Sequence, residues 1–259
     1  MATAELRVAV TIDVEGDFGG ASLRGVDEVL PRVLDRFDEL GVRATLFIVG
    51  EVARARAALV RDAAARGHAM GSHTMTHAPL GRMDRARRRA ELADSRAAVE
   101  DASGAPCEAF RAPFFDAPPD LGPLLEEAGY RWSSSKAPFS PVAFYRHVLD
   151  VRRVHVLDGS RVIEVPVPGI LGLPIPDGLS YRRLFFPLGS LASVPPRVFY
   201  FHPYELLDDV EGFALPRAMR PFVAFRRGAW ARAHLFALLD VWKAKGAVFA
   251  PPWLALDAG

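Results

Sequence analysis

Short apolar segments alternate with amphipathic ones along the first half of the chain. Residues 6–12 (LRVAVTI) and 44–49 (ATLFIV) are compact and rich in β-branched side chains, which is typical of buried strands. Between them, residues 26–40 place apolar side chains at helical spacing and are followed by Gly41, a residue typical of helix C-termini. This part of the chain therefore predicts a strand, a helix and a second strand.

The same alternation continues toward the C-terminus. Further strands are predicted over residues 68–71, 107–111, 162–167, 198–201 and 247–250, and further helices over residues 52–66, 83–101, 121–128 and 228–245. Strands that alternate with helices pair in parallel through right-handed crossovers. We therefore expect an α/β fold whose chemistry lies beyond the carboxyl ends of its strands.

The length of the chain favours one domain. A chain of 259 residues fits a single large α/β domain, since α/β barrels often reach this size. Residues 137–196 are rich in Pro and Gly, and we interpret them as irregular decoration of that domain. We expect one domain over residues 1–259.

Charge and cysteine content narrow the function classes. The 32 basic and 31 acidic residues leave a net charge of +1, so no overall field favours nucleic acid or an anionic membrane. With Cys107 as the single cysteine, a metal site must be built from His, Asp or Glu. No apolar run is long enough to span a bilayer, and the N-terminal residues lack a secretory signal pattern, so we expect a cytoplasmic protein.

Two histidines have the spacing of a metal-ligand pair. His73 and His77 are four residues apart, which directs both imidazoles to one side of a single turn. Pro79 disfavours helix at the preceding residue, so a short turn is expected here. Imidazole with carboxylate suits zinc or a similar divalent ion. Two unrelated surface or core histidines are the alternative.

An acidic segment follows the first predicted strand. Asp13, Glu15 and Asp17 alternate along an extended segment, which places them on a common side. Two carboxylates near one cation can divide the work, one binding the metal and the other accepting a proton from water. A solvated acidic loop is the alternative.

Two further polar residues follow predicted strands. Arg111 ends one strand, and its guanidinium can bind a carboxylate in a bidentate manner or form an ordinary ion pair. His202 follows the apolar run 198–201, and an imidazole there has a pKa suited to general acid catalysis. A structural histidine is the alternative.

Together these motifs resemble those of the polysaccharide deacetylase family, carbohydrate esterase family 4 with its NodB-type domain. Residues 68–77 (HAMGSHTMTH) closely resemble the second family motif. Residues 11–15, 111–114 and 201–205 are similar to the first, third and last motifs, in the family's order. Residues 164–167 and 181–184 resemble a bacterial branch associated with exopolysaccharide production.

The resemblance implies a distorted barrel of about seven β/α units and a set of roles. Asp13 is the implied general base, Arg111 its orienting partner and His202 the general acid. Glu15, His73 and His77 are the implied ligands of one divalent ion, normally Zn²⁺, with Co²⁺, Ni²⁺ or Mn²⁺ as alternatives. The implied partner is an N-acylated carbohydrate, and the implied reaction removes its acyl group, normally acetyl. We expect substrate contacts from Phe114, whose backbone N–H stabilises the oxyanion, and from Tyr204 and Arg182.

The sequence departs from the family pattern at three places. Val14 separates two acids that are commonly adjacent, which leaves Asp17 as a rival metal ligand. Phe114 stands where the third motif usually has Tyr. The Asp that commonly supports the catalytic His has no match, since residues 133–135 are all serine. Hydrolysis of a non-sugar, ureide-like amide and an inactive carbohydrate-binding barrel are the alternatives to a sugar deacetylase.

Overall fold

A computed structural model describes residues 6–138, 153–185 and 195–255. Residues 139–152 and 186–194, which belong to the predicted irregular decoration, lie outside the described residues. The chain divides into two compact units, one formed by residues 1–44 with 177–259 and the other by residues 45–176. The expectation of one domain over the whole chain remains a prediction.

The described residues contain short strands that alternate with helices, as the sequence predicts. The strands are β1 (Arg7–Val14), β2 (Thr45–Ile48), β3 (Ala69–Ser72), β4 (Cys107–Phe110), β5 (Trp132–Ser133), β6 (His155–Val156), β7 (Ile163–Glu164), β8 (Val198–Phe201) and β9 (Val248–Phe249). The helices are α1 (Leu30–Leu40), α2 (Gly50–Ala55), α3 (Ala57–Ala65), α4 (Arg85–Ser103), α5 (Leu121–Glu127), α6 (Leu179–Leu184), α7 (Arg220–Ala224) and α8 (Ala229–Ala244).

In the unit formed by both ends of the chain, β1 pairs in parallel with β8 and with β9. The register places Ile12 opposite Phe201, the last residue of β8, so β1 extends two residues beyond that end of β8. Phe199 packs edge-on against Trp242 of α8 at 5.3 Å, and both side chains are fully buried. This contact packs α8 against β8 in the core of the unit.

In the unit formed by residues 45–176, β2, β3, β4, β5 and β7 pair in parallel in that order, and β6 adds to β7 in antiparallel orientation. Ile48 lies opposite Ser72 and Ser72 opposite Phe110, so the chain leaves β2, β3 and β4 at one edge. The residues that follow these strands are therefore close neighbours.

The sequence misses some elements and merges others. The helix predicted over 52–66 is two helices, α2 and α3, because Arg56 leaves the helical region with φ −132° and ψ 40°. The short elements α6, α7, β5 and β6 were not predicted, since two to six residues are too few to show a period. No helix in the described ranges has the length and apolar character needed to cross a membrane.

Candidate acid–base and metal-ligand residues

Two acids and a histidine lie together at the carboxyl ends of β1 and β8. The side chains of Asp13 and Glu15 are 3% and 5% exposed. The Nε2 atom of His202 lies 3.8 Å from Oδ2 of Asp13 and 4.0 Å from Oε1 of Glu15. The structure therefore brings together three of the residues that the sequence predicts, at distances that allow charge interaction but exceed a direct hydrogen bond.

Asp17, the rival acidic ligand, is occupied by the loop that it begins. It is fully buried, and its Oδ2 accepts hydrogen bonds from Ser22 Oγ at 2.6 Å and from Arg24 N at 2.8 Å. Its Oδ1 accepts from Gly25 N at 2.9 Å. These donors tie down both carboxylate oxygens, so Asp17 shapes the loop and Glu15 is the better candidate ligand.

Glu205, three residues later in the chain, contacts the Nδ1 side of the His202 imidazole. Oε1 of Glu205 lies 3.0 Å from His202 Nδ1 and accepts from the His202 backbone N–H at 3.1 Å. Oε2 of the same carboxylate lies 3.3 Å from Nε of Arg183. Arg183 belongs to α6 and donates to the carbonyls of Val223 and Phe225.

Neighbouring charges shift the pKa values of both His202 and Glu205. Burial alone lowers the pKa of His202, but Glu15, Glu205 and Asp13 outweigh it and raise that pKa to about 9. Burial alone would raise the pKa of Glu205, but the hydrogen bond to His202 and the charge of Arg183 hold it below its usual range. Glu205 is therefore ionised at neutral pH and acts only as an acceptor.

Tyr204 forms a buried aromatic wall beside His202. Its ring stacks on the imidazole at 4.8 Å and meets Phe18 and Phe213 edge-on at 5.8 Å each. Gly25 is required opposite it, because a Cβ there would lie 2.6 Å from Tyr204 N. Tyr204 is only 7% exposed, and its predicted contact with substrate stays a prediction.

In the other unit, His73 follows β3 and is fixed in a defined tautomer. It is 2% exposed, and its Nδ1 lies 2.7 Å from the backbone carbonyl oxygen of Arg111. Because that oxygen only accepts, Nδ1 carries a proton. In the neutral imidazole this tautomer presents the lone pair of Nε2, which is the form in which histidine binds a metal ion.

The residues after His73 form a tight turn in an unusual backbone conformation. Thr74 and His77 have φ values of 62° and 59°, which non-glycine residues rarely adopt. The hydroxyl of Thr74 donates to the His73 carbonyl at 2.6 Å and accepts from His77 N at 3.1 Å. The turn brings the two imidazoles to a centroid separation of 5.0 Å, and such backbone strain is common at functional sites.

Glu91 of α4 accepts hydrogen bonds from the turn that follows His73, a role that the sequence did not reveal. It is 2% exposed, and its Oε2 accepts from the backbone N–H groups of Met75 and Thr76 at 2.9 Å each. Its Oε1 accepts from the Thr76 hydroxyl at 2.9 Å and from Arg87 at 2.8 Å. One carboxylate thus satisfies several donors of the turn.

We expect Glu91→Ala to destabilise the protein by about 2–4 kcal/mol, because it leaves one buried and one partly buried backbone N–H group without an acceptor. Urea unfolding followed by circular dichroism measures the change. The matched control is Asp94→Ala, an exposed acid on the same helix, which should stay within about 0.5 kcal/mol of the parent protein. Equal stability of the two variants would contradict the proposed support of the turn.

Arg111 is fully buried and is anchored by the serine segment. Its Nε donates to the carbonyl of Ser134 at 3.0 Å, and a terminal nitrogen donates to the Ser134 hydroxyl at 2.9 Å. The guanidinium also lies over the ring of Phe47 at 4.3 Å. Ser135 accepts from Ala112 N at 3.0 Å. The serines that replace the expected Asp therefore position Arg111 and the backbone that follows it.

Phe114 and Arg182, both predicted to contact substrate, have different environments. Phe114 is half-buried with φ 59°, and its ring lies 4.9 Å from that of His77. Arg182 is fully buried and donates to both carboxylate oxygens of Asp177, at 2.6 and 2.9 Å. Its guanidinium lies over the ring of Trp242 at 5.5 Å. With no exposed surface, Arg182 forms an ion pair in the core of this structure, and its predicted contact with substrate stays a prediction.

Comparison with protein families gives a match over half of the chain. The sequence model described as Polysaccharide deacetylase matches residues 3–133. The chain belongs to the polysaccharide deacetylase family. This match spans the segments that carry Asp13, Glu15, His73, His77 and Arg111, and it confirms the family to which the motifs pointed.

Curated relatives match over shorter segments. A chitooligosaccharide deacetylase from Sinorhizobium fredii is 46% identical over 57 residues, 21% of this chain and 26% of that protein. A peptidoglycan-N-acetylglucosamine deacetylase from Bacillus cereus is 28% identical over 109 residues, 42% of this chain and 37% of that protein. The chain thus matches between a quarter and two fifths of these relatives' lengths.

Solved structures extend the likeness to the fold of the whole chain. A Mycobacterium smegmatis protein assigned as a polysaccharide deacetylase aligns with a TM-score of 0.66 at 18% identity, covering 100% of this chain and 92% of that one. A family 4 carbohydrate esterase pseudoenzyme from Bacillus anthracis aligns with a TM-score of 0.54 at 14% identity, covering 93% of this chain and 62% of that one. The predicted α/β fold of NodB-type deacetylases is confirmed, and the family includes inactive members.

Proposed function

We propose that this family member is a metal-dependent deacetylase that removes an N-acyl group, normally acetyl, from an amino sugar in a glycan or glycolipid intermediate. The observation that carries the proposal is the contact of His73, whose Nδ1 lies 2.7 Å from the Arg111 carbonyl oxygen, an arrangement that supports Nε2 as the proposed metal-binding nitrogen. The family match over residues 3–133 supports the reaction class.

The proposed ligands are Glu15, His73 and His77, each of which offers one ligand atom. Two imidazoles and a carboxylate are a donor set found in catalytic zinc sites, where a fourth position stays open for water or substrate. We propose Zn²⁺, and the same donors also accept Co²⁺, Ni²⁺ or Mn²⁺. An ion held by these residues would supply Lewis acidity, which would polarise the acyl carbonyl and lower the pKa of water.

In the proposed reaction, residues of the chain accept and donate the protons. Asp13 accepts a proton from the attacking water, and Arg111 keeps that carboxylate oriented. The backbone N–H of Phe114 donates to the oxyanion that develops on the acyl oxygen. His202 gives a proton to the amide nitrogen as the C–N bond breaks, so the products are a carboxylate and the free amino sugar.

Metal content and acetate release test the proposal together. We expect about one divalent ion per chain, and acetate release from a panel of N-acetylated sugars and oligosaccharides. A chelator should abolish the release, and added Zn²⁺ should restore it. The panel includes cyclic ureides, and turnover of these alone would overturn the sugar assignment. Glycan binding without turnover at any metal or pH would identify an inactive barrel, as in the Bacillus anthracis relative named a pseudoenzyme.

A further inference from the structure

Residues 133–135 are serines, where the family resemblance implies an aspartate that supports the catalytic histidine. The serines there serve Arg111 instead, through the hydrogen bonds of Ser134. In the described part of the chain, the carboxylate that meets Nδ1 of His202 comes from Glu205, on the 3-10 turn that follows β8.

We propose that Glu205 is the positioning residue of His202, and that Arg183 of α6 holds Glu205 in place. The inference rests on the proposed function for the role of His202, while the contact itself belongs to this structure. Glu205 presents one oxygen to the imidazole and the other to the guanidinium, at 3.0 and 3.3 Å. His202 would thus be oriented by a residue of its own motif.

The geometry fixes the ring in two ways. Oε1 of Glu205 meets both Nδ1 and the backbone N–H of His202, so the side chain and the backbone are held by a single atom. Because a carboxylate only accepts, the proton on this side of the imidazole is on Nδ1. Nε2 therefore faces Asp13 and Glu15, where it can exchange a proton with the reacting groups.

The carboxylate has its own support. Glu205 and Arg183 are 1% and 5% exposed, so their opposite charges face each other largely without water between them. Oε2 accepts no hydrogen bond, and the 3.3 Å contact with Arg183 Nε holds it by charge. Arg183 is in turn fixed by the carbonyls of Val223 and Phe225.

The backbone of the turn is also restrained. Arg227 donates to the carbonyls of Leu207 at 2.8 Å and Tyr204 at 2.5 Å, and Gly228 N donates to the Glu205 carbonyl at 3.3 Å. The backbone of Glu205 is therefore held in place and would not move together with a rotating His202 imidazole. A rigid acceptor of this kind removes alternative ring orientations before substrate binds.

Glu205→Gln tests the inference, because it keeps the size of the side chain and removes its charge. We expect kcat to fall about 100-fold with KM within about threefold, since the orientation of the acid is lost while substrate binding is kept. Glu211→Gln, an exposed acid on the following loop, is the matched control and should retain the parent kcat. Thermal unfolding of both variants shows whether the change is confined to the site.

A second measurement does not depend on activity. In the metal-free protein, the Nδ1 proton of His202 should give a slowly exchanging, downfield proton resonance in the parent and in Glu211→Gln. It should be lost or move upfield in Glu205→Gln, and Arg183→Met should weaken it. A resonance that persists unchanged in Glu205→Gln, or a kcat that does not fall when it is lost, would overturn the inference. An inactive parent that shows the resonance would refute the proposed function and leave the contact standing.

Discussion

His73→Ala is expected to weaken metal binding and turnover strongly. The imidazole of His73 offers Nε2 because Nδ1 is committed to the Arg111 carbonyl, and alanine provides no ligand in its place. We expect metal affinity to fall at least about 100-fold, since loss of a ligand costs more than loss of its hydrogen-bond partner. Removing several kcal/mol of charge stabilisation should lower kcat by about 10³-fold or more.

Metal analysis after dialysis and acetate release measure the two effects on one preparation. The matched control is His155→Ala, a partly exposed histidine on β6 with no proposed role, which should keep its metal and its activity. Retention of one ion per chain by His73→Ala, with activity near that of the parent, would refute the proposed ligand set. Circular dichroism distinguishes loss of the ion from loss of the fold.

Asp13→Asn is expected to keep the metal and lose the chemistry. Asparagine has the shape of aspartate but cannot accept the proton of the attacking water at neutral pH. We expect kcat to fall by about 10²–10⁴-fold, the usual contribution of a positioned general base, with metal content unchanged. This pattern differs from that of His73→Ala and assigns a separate role to each residue.

The control for this charge change is Asp101→Asn, an exposed acid on α4, which should leave kcat unchanged. Steady-state acetate release gives kcat and KM, and elemental analysis gives the metal content. If Asp13→Asn lost the metal, Asp13 would be a ligand, and the division of roles with Glu15 would be wrong. If it retained full activity, another group would have to be the base.

The order of strands and helices follows from local sequence. Apolar runs such as residues 6–12 and 44–49 become β1 and β2, because a β-branched run can bury both faces in a parallel sheet. The helix that ends at Gly41 does so because glycine adopts the φ of 70° required there at low cost. The elements that were missed, such as α6 and β5, are too short to carry a period.

Some residues of the candidate site could be named from the sequence, and others became visible only in the structure. His73, His77, Asp13 and Glu15 can be named from spacing and motif, because chemistry requires these residue types at the ends of strands. Their roles remain predictions until they are tested. The residues that hold them were not visible: Glu91 under the turn, Ser134 under Arg111, and Glu205 behind His202.

The sequence by itself determined the α/β fold and the deacetylase family, and it predicted the residue types of the candidate site. Tertiary structure alone decided that Asp17 caps a loop, that Arg182 pairs with Asp177 in the core, and that Glu205 meets the ring of His202. The physical reason is that a buried charge takes whichever partner packing brings within reach, and that choice depends on contacts between distant segments. Local sequence patterns predict strands and helices, but they do not predict which distant residue will pair with a buried charged side chain.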